Sequence, residues 1–102
     1  MTEGDLQRIV GVNVRLVREA RGLSQERLAE VMDYNRTYVG GVERGERNLG
    51  LRTLERFADR LGVDWRTLLV EDENTALVLA AASGRPKRKQ PKRKARPAPP
   101  IE

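Results

Sequence analysis

An all-α chain is what the apolar spacing of this sequence predicts. Hydrophobic residues recur at steps of three and four through most of the first 70 positions, and no stretch alternates in the manner of a strand bounded by turn residues. All five prolines lie beyond Ser83, so nothing before it breaks a helix in that way. The spacing shows no internal repeat of solenoid length.

The elements follow in order. From Asp5 to Arg21 the residues Leu6, Ile9, Val10, Val14, Val17 and Ala20 mark one face of a first helix, and Gly22 fits its C-terminal stop. Ser24 is a candidate N-cap for a second, short helix with Glu26 in its first turn, Leu28, Ala29 and Met32 facing inward, and an end near Met32. Asp33 and Tyr34 make a brief connection. Asn35 then caps a third helix over about 36–44, with Val39 and Val42 inward and Gly45 closing it. After the polar loop 46–50, Leu51, Leu54, Phe57, Ala58 and Leu61 describe a fourth helix ended by Gly62. Asp64 caps a short fifth piece carrying Trp65, Leu68 and Leu69. Beyond Glu71-Asp72-Glu73 lies the uniformly apolar run 76–82, whose lack of period leaves its role open.

At 102 residues the chain has room for one small domain. It divides into 5–70 as the folded domain, 71–83 as an apolar extension that is either a helix or a dimer segment, and 84–102 as a Lys/Arg/Pro-rich tail. The tail carries Arg85, Lys87, Arg88, Lys89, Lys92, Arg93, Lys94 and Arg96 against Glu102 alone, a net +7. The first 83 residues hold twelve bases and fourteen acids, a net −2, so the whole-chain +5 conceals two unlike segments. The tail cannot form a core and is expected to be disordered in isolation.

Composition narrows the chemistry. With no histidine and no cysteine, the chain has no thiol nucleophile, no imidazole acid or base, no disulfide and no common Cys/His zinc site. The acids Glu71, Asp72 and Glu73 read as a solvated turn rather than a catalytic pair, so an enzyme is not expected. No cofactor, metal or small-molecule ligand is legible. No window approaches the roughly 20 apolar residues of a membrane span, and the expectation is a cytoplasmic, nucleoid-associated protein with no membrane partner.

Two short helices joined by a tight turn have the shape of a helix-turn-helix, whose second helix enters the major groove of double-stranded DNA. Arg36, Thr37, Tyr38 and Arg44 are read as lining the outer side of that helix. Arginine can pair with the guanine N7 and O6 edge, asparagine with adenine, and a threonine methyl can touch that of thymine. An ordinary solvated face of a helical bundle would show the same residue types. Gly40 and Gly41 sit mid-helix, where each costs up to about 1 kcal/mol relative to alanine. Read functionally, they make a bare outward patch that lets the backbone approach a groove; otherwise they mark a frayed helix.

Residues 10–69 carry a resemblance. The run Arg18-Glu19-Ala20-Arg21-Gly22-Leu23-Ser24-Gln25-Glu26-Arg27-Leu28-Ala29, then Val42-Glu43-Arg44-Gly45, then Ala58-Asp59-Arg60-Leu61-Gly62-Val63, resembles the lambda-repressor-like (XRE) helix-turn-helix family. The segment 35–49 is similar to the controller proteins of restriction-modification systems. The resemblance implies a five-helix domain that binds paired operator half-sites as a homodimer. It implies base contacts from Arg36 and Thr37 in the third helix and a DNA contact from Arg47 in the loop after it, and Asn35, Gly40 and Gly41 are taken as further candidates for base contact. It also implies a phosphate contact from Gln25, beside which Ser24, Tyr38, Arg44 and Asn48 are candidates, and a structural ion pair between Arg18 and Glu43. Asn48-Leu49-Gly50 departs from the Pro-Ser pattern of many relatives. Trp65, Leu68, Leu77 and Leu79 exceed the obvious needs of the core and either form a dimer surface or cover the local core.

In the tail, Gly84-Arg85-Pro86 with Lys87-Arg88-Lys89 resembles part of an AT-hook, with Ser83 where that motif has its first arginine. Eight tail charges meeting phosphate would steepen the salt dependence of DNA binding by about 7 at most. Alternatives for the tail are a solubilising arm, a protein-docking segment, or an RNA or anionic-membrane contact. Three functions are therefore open: a dimeric, sequence-specific transcription regulator, a nucleoid-coating protein, and an antitoxin-like protein-interaction module.

Overall fold

The computed structural model describes residues 1–83. The order is α1 (Asp5–Ala20), α2 (Gln25–Met32), α3 (Arg36–Glu43), α4 (Leu51–Leu61), a 3-10 helix (Trp65–Leu69) and α5 (Glu73–Ser83). Among the described residues there is no strand.

Local chemistry sets the helix starts. The Ser24 hydroxyl accepts from the Arg27 amide at 2.9 Å, the Asn35 side chain from the Tyr38 amide at 2.8 Å, and the Asp64 carboxylate from the Arg66 amide at 2.9 Å. At the first residue of α1, Asp5 accepts from the Thr2 amide at 2.6 Å and pairs with Arg8. The Thr2 hydrogen bonds chiefly hold its carboxyl below the usual aspartate range. The first four helices stop in one way, with paired amides reaching back to carbonyls of the last turn, as in Leu23 to Arg18 at 3.1 Å and Tyr34 to Ala29 at 2.9 Å. That closure places one residue at positive φ. Glycine fills the position at Gly22, Gly45 and Gly62, whereas after α2 it is Asp33 at φ 63°.

The core forms where α1 meets the other helices. Val14 and Val17 of α1, Leu28 and Met32 of α2, Val39 and Val42 of α3, and Phe57 and Leu61 of α4 are buried together. Tyr34, in the connection after α2, packs edge-on to Tyr38 and Phe57, with ring centroids 5.2 and 6.0 Å away. Three polar seams tie the elements. The Asn13 amide donates to the Leu68 and Val70 carbonyls at 2.9 and 2.8 Å, fixing the 3-10 helix on α1. Arg56 and Arg60 of α4 donate to the Met32 and Val31 carbonyls at the end of α2, each at 3.3 Å. Arg21 donates to Leu61, Gly62 and Ala80 carbonyls, joining the ends of α4 and α5, and its burial lowers its pKa.

Two expectations change here. Leu68 was a candidate for a dimer surface, yet it is wholly buried within this chain, so it packs the core instead. The run 76–82 is part of α5, and its orientation was not legible. Ala76 and Ala80 turn inward at 0% and 1% exposure, while Leu77, Val78 and Leu79 stand 38%, 59% and 38% exposed. Helix α5 packs on α1 through its small residues and leaves the larger ones outside.

Candidate nucleic-acid interface

The site is built from three adjoining pieces: the start of α2, the start of α3 and the loop that follows α3. Among the described residues, Ser24, Asn35, Arg36, Thr37, Arg44, Arg47 and Asn48 are all exposed there. Asn35 spends its side-chain oxygen on the α3 cap, leaving its amide nitrogen to the outside. Arg36 and Thr37 follow in the first turn of α3, so a base edge presented to that helix end meets them first.

What holds α3 in place is buried. Arg18 grips Glu43 through two hydrogen bonds, Nε to Oε2 at 2.6 Å and Nη2 to Oε1 at 3.1 Å, and its Nη1 donates to the Leu23 carbonyl at 2.6 Å. The side chains are 9% and 3% exposed. Gln25 donates its Nε2 to the same carboxylate at 2.9 Å. One carboxylate thus joins α1, the beginning of α2 and the end of α3. The pair proposed from the sequence is present, and Gln25, half-buried, belongs to its network as well as to the surface.

Two sequence expectations need correction. Gly40 and Gly41 do not present a bare outward patch: both are buried, covered by arginine side chains. A Cβ at Gly40 would lie 3.2 Å from Arg44 Nη1, and one at Gly41 would lie 3.1 Å from Arg47 Nε. Tyr38 is 4% exposed, its ring turned into the core rather than outward. The Arg47 guanidinium lies 5.3 Å above that ring. Arg21 does not add to the positive charge of this face, since it is committed to backbone carbonyls of α4 and α5.

The electrostatics of the loop are mixed. Arg44 Nε donates to Glu46 Oε2 at 3.1 Å. This hydrogen bond chiefly, with the charges of Arg44 and Arg47, holds the Glu46 carboxyl below the usual glutamate range, and the same bond with the Glu46 charge raises the pKa of Arg44. Elsewhere, Arg15, Arg27 and Arg66 pair with Glu19, Glu30 and Asp64, whereas Arg36 makes no ion pair among the described residues. The proposed tail contacts, Arg85, Lys87, Arg88, Lys89, Lys92, Arg93, Lys94 and Arg96, lie outside the described residues.

Sequence reasoning missed Gly11 and Asn13. Gly11 is where α1 crosses α3: a Cβ there would lie 2.4 Å from the Val42 carbonyl oxygen. The signal was present, since a mid-helix glycine in α1 carries the same propensity cost that drew attention to Gly40 and Gly41. Asn13, 1% exposed among valines, gave none, because its carbonyl partners come from residues 68 and 70.

Among the described residues no helix is long and apolar enough to cross a membrane. The helix-turn-helix family model (HTH_3) matches residues 14–68. The chain is 46% identical over 65 residues to the control protein C.SmaI of Serratia marcescens, covering 64% of this chain and 77% of that protein. The crystal structure of the hypothetical transcription factor NHTF from Neisseria superposes with a TM-score of 0.66 at 35% identity, over 76% of this chain and 91% of that one. The restriction-modification controller protein C.Esp1396I, solved as a tetramer in complex with its natural 35 base-pair operator, gives a TM-score of 0.53 at 26% identity, over 79% and 96% of the two chains. The chain belongs to the helix-turn-helix family, in its lambda-repressor-like (XRE) form.

Proposed function

We propose that this chain is a sequence-specific, DNA-binding transcription regulator that acts as a homodimer on a palindromic operator. The observation that carries this reading is the exposed first turn of α3, Arg36 and Thr37, on a helix locked from behind by the buried Arg18–Glu43–Gln25 network. A reading helix needs that combination, since base discrimination depends on side chains presented in a fixed register. The controller proteins among its relatives, one of them captured on its operator, support the same reading.

Asn35, Arg36, Thr37 and Arg47 take the base edges. Ser24, Gln25, Arg44 and Asn48 take phosphate, helped by backbone amides at the start of α2. Trp65, Leu77 and Leu79 form the dimer surface, which sets the two half-sites about one helical turn apart. The tail adds affinity without sequence preference, which suits a folded part carrying −2. No catalytic step is assigned to the chain.

The test is Arg36→Ala in a binding titration against a selected site and a scrambled duplex. A base contact predicts a loss of about 1 to 3 kcal/mol on the site, with little change on the scrambled duplex. An equal loss on both would assign Arg36 to phosphate, and no loss on either would remove α3 from the interface.

A further inference from the structure

Both arginines of the loop after α3 lie back along that helix. Arg44 reaches over Gly40 and Arg47 over Gly41, each within 3.2 Å of where a Cβ would stand, so the two glycines serve as seats that any side chain would fill. The seats differ in what else they offer. Arg47 rests on the face of an aromatic ring, while Arg44 is already bound to an anion, the Glu46 carboxylate at 3.1 Å. Both members of that pair are open to solvent, 59% and 58% exposed, and stand on the same loop as the base-reading candidate Arg47.

We infer that Glu46 is a specificity-determining residue, an internal anion that competes with the DNA backbone for Arg44. The inference rests on the reading of the chain as a DNA-binding regulator. A loosely docked complex on random sequence draws its affinity from phosphate contacts, and there Glu46 both occupies Arg44 and repels the incoming phosphate. On the correct site, contacts from Arg36, Thr37 and Arg47 fix the docked register, and the phosphate opposite Arg44 is held where it displaces the carboxylate. Glu46 therefore weakens wrong complexes more than the right one, a repulsive element that sharpens choice.

The experiment compares the full chain with E46Q on a selected operator and on a scrambled duplex of equal length, from about 0.05 to 0.2 M salt. For an exposed ion pair the expected gain on the scrambled duplex is roughly two- to fivefold. The operator gains less, so the preference ratio falls, and the salt slope on scrambled DNA steepens by about 1 per protomer. In an R44Q background E46Q should lose most of its effect, which ties the gain to this pair and not to overall charge. Equal gains on both duplexes, no gain on either, or an undiminished gain without Arg44 would overturn the inference. If the unaltered chain shows preference and E46Q matches it, only the role of Glu46 fails. If the unaltered chain binds neither duplex, the regulator reading fails with it.

Discussion

Gly11 of α1 and Val42 of α3 meet backbone to backbone: a methyl group at Gly11 would stand 2.4 Å from the Val42 carbonyl oxygen and 2.8 Å from that of Glu43. Neither obstacle is a flexible side chain, so the crossing point of the two helices depends on the hydrogen at this position. The distance of α3 from the body of the protein is set here, at the end of the helix away from Arg36.

Gly11→Ala is therefore expected to destabilise the fold by about 3 kcal/mol, the upper end of what overpacking costs, despite the better helix propensity of alanine. Urea denaturation followed by circular dichroism measures it. An unchanged midpoint would mean that α1 and α3 can separate freely.

Arg18→Ala should cost about 3 to 5 kcal/mol, because Glu43 would keep its burial and lose its cation. Replacing both partners together, Arg18→Met with Glu43→Leu, should cost less than that single change, since no buried charge remains. The same denaturation series decides between a structural pair and a dispensable one. A double variant as unstable as the single one would place the damage in the Leu23 carbonyl and Gln25, which both lose a partner.

Gly40→Ala and Gly41→Ala should behave in the opposite way to Gly11→Ala. A Cβ at Gly40 would meet Arg44 Nη1 and, beyond it, the Gln25 amide, and one at Gly41 would meet Nε and Cγ of Arg47; all of these are side-chain atoms that can shift, so each substitution should raise stability by up to about 1 kcal/mol. DNA binding should weaken in Gly41→Ala as Arg47 leaves its seat over Tyr38. Thermal melting paired with a binding titration checks both halves, and lowered stability would mean that the arginines cannot yield.

The double substitution Leu77→Asp with Leu79→Asp should leave the monomer folded and shift sedimentation toward the monomer, since both side chains stand 38% exposed. Leu68→Ala, by contrast, should destabilise the monomer itself by about 2 to 5 kcal/mol. A dimer unaffected by the paired aspartates would move the two-fold surface off α5.

How much was legible in the sequence follows from how far each cause reaches along the chain. Ser24, Asn35 and Asp64 bond to amides two or three residues on, so their capping roles are local and were read correctly. The periodic faces of α1 through α4 were also visible, because each repeats one requirement several times, although Leu6, Ala20 and Leu51 at the helix ends stand exposed where the core no longer covers the face. Leu68 and Tyr38 were placed on the outside because nothing near them in sequence reveals what covers them. Gly40 and Gly41 drew attention for a sound reason, but the covering arginines lie four and six residues further on, along a turn the spacing does not describe. Helix α5 was the hardest element. A run apolar on all sides has no face to read, and the small alanines turn inward because they let α5 lie close against α1.

On the proposed function, the α2–α3 surface reads a DNA sequence and the tail only adds affinity. The most direct measurement is selection of bound fragments from sheared genomic DNA at about 0.15 M salt, run in parallel with the full chain and with a chain ending at Ser83. Both versions should enrich the same few palindromic sites, with preferences of roughly 10³ or more over random DNA and weaker retention by the shorter chain. No enriched site with the full chain, together with loss of all binding once the tail is removed, would contradict it and make the protein a coat for DNA.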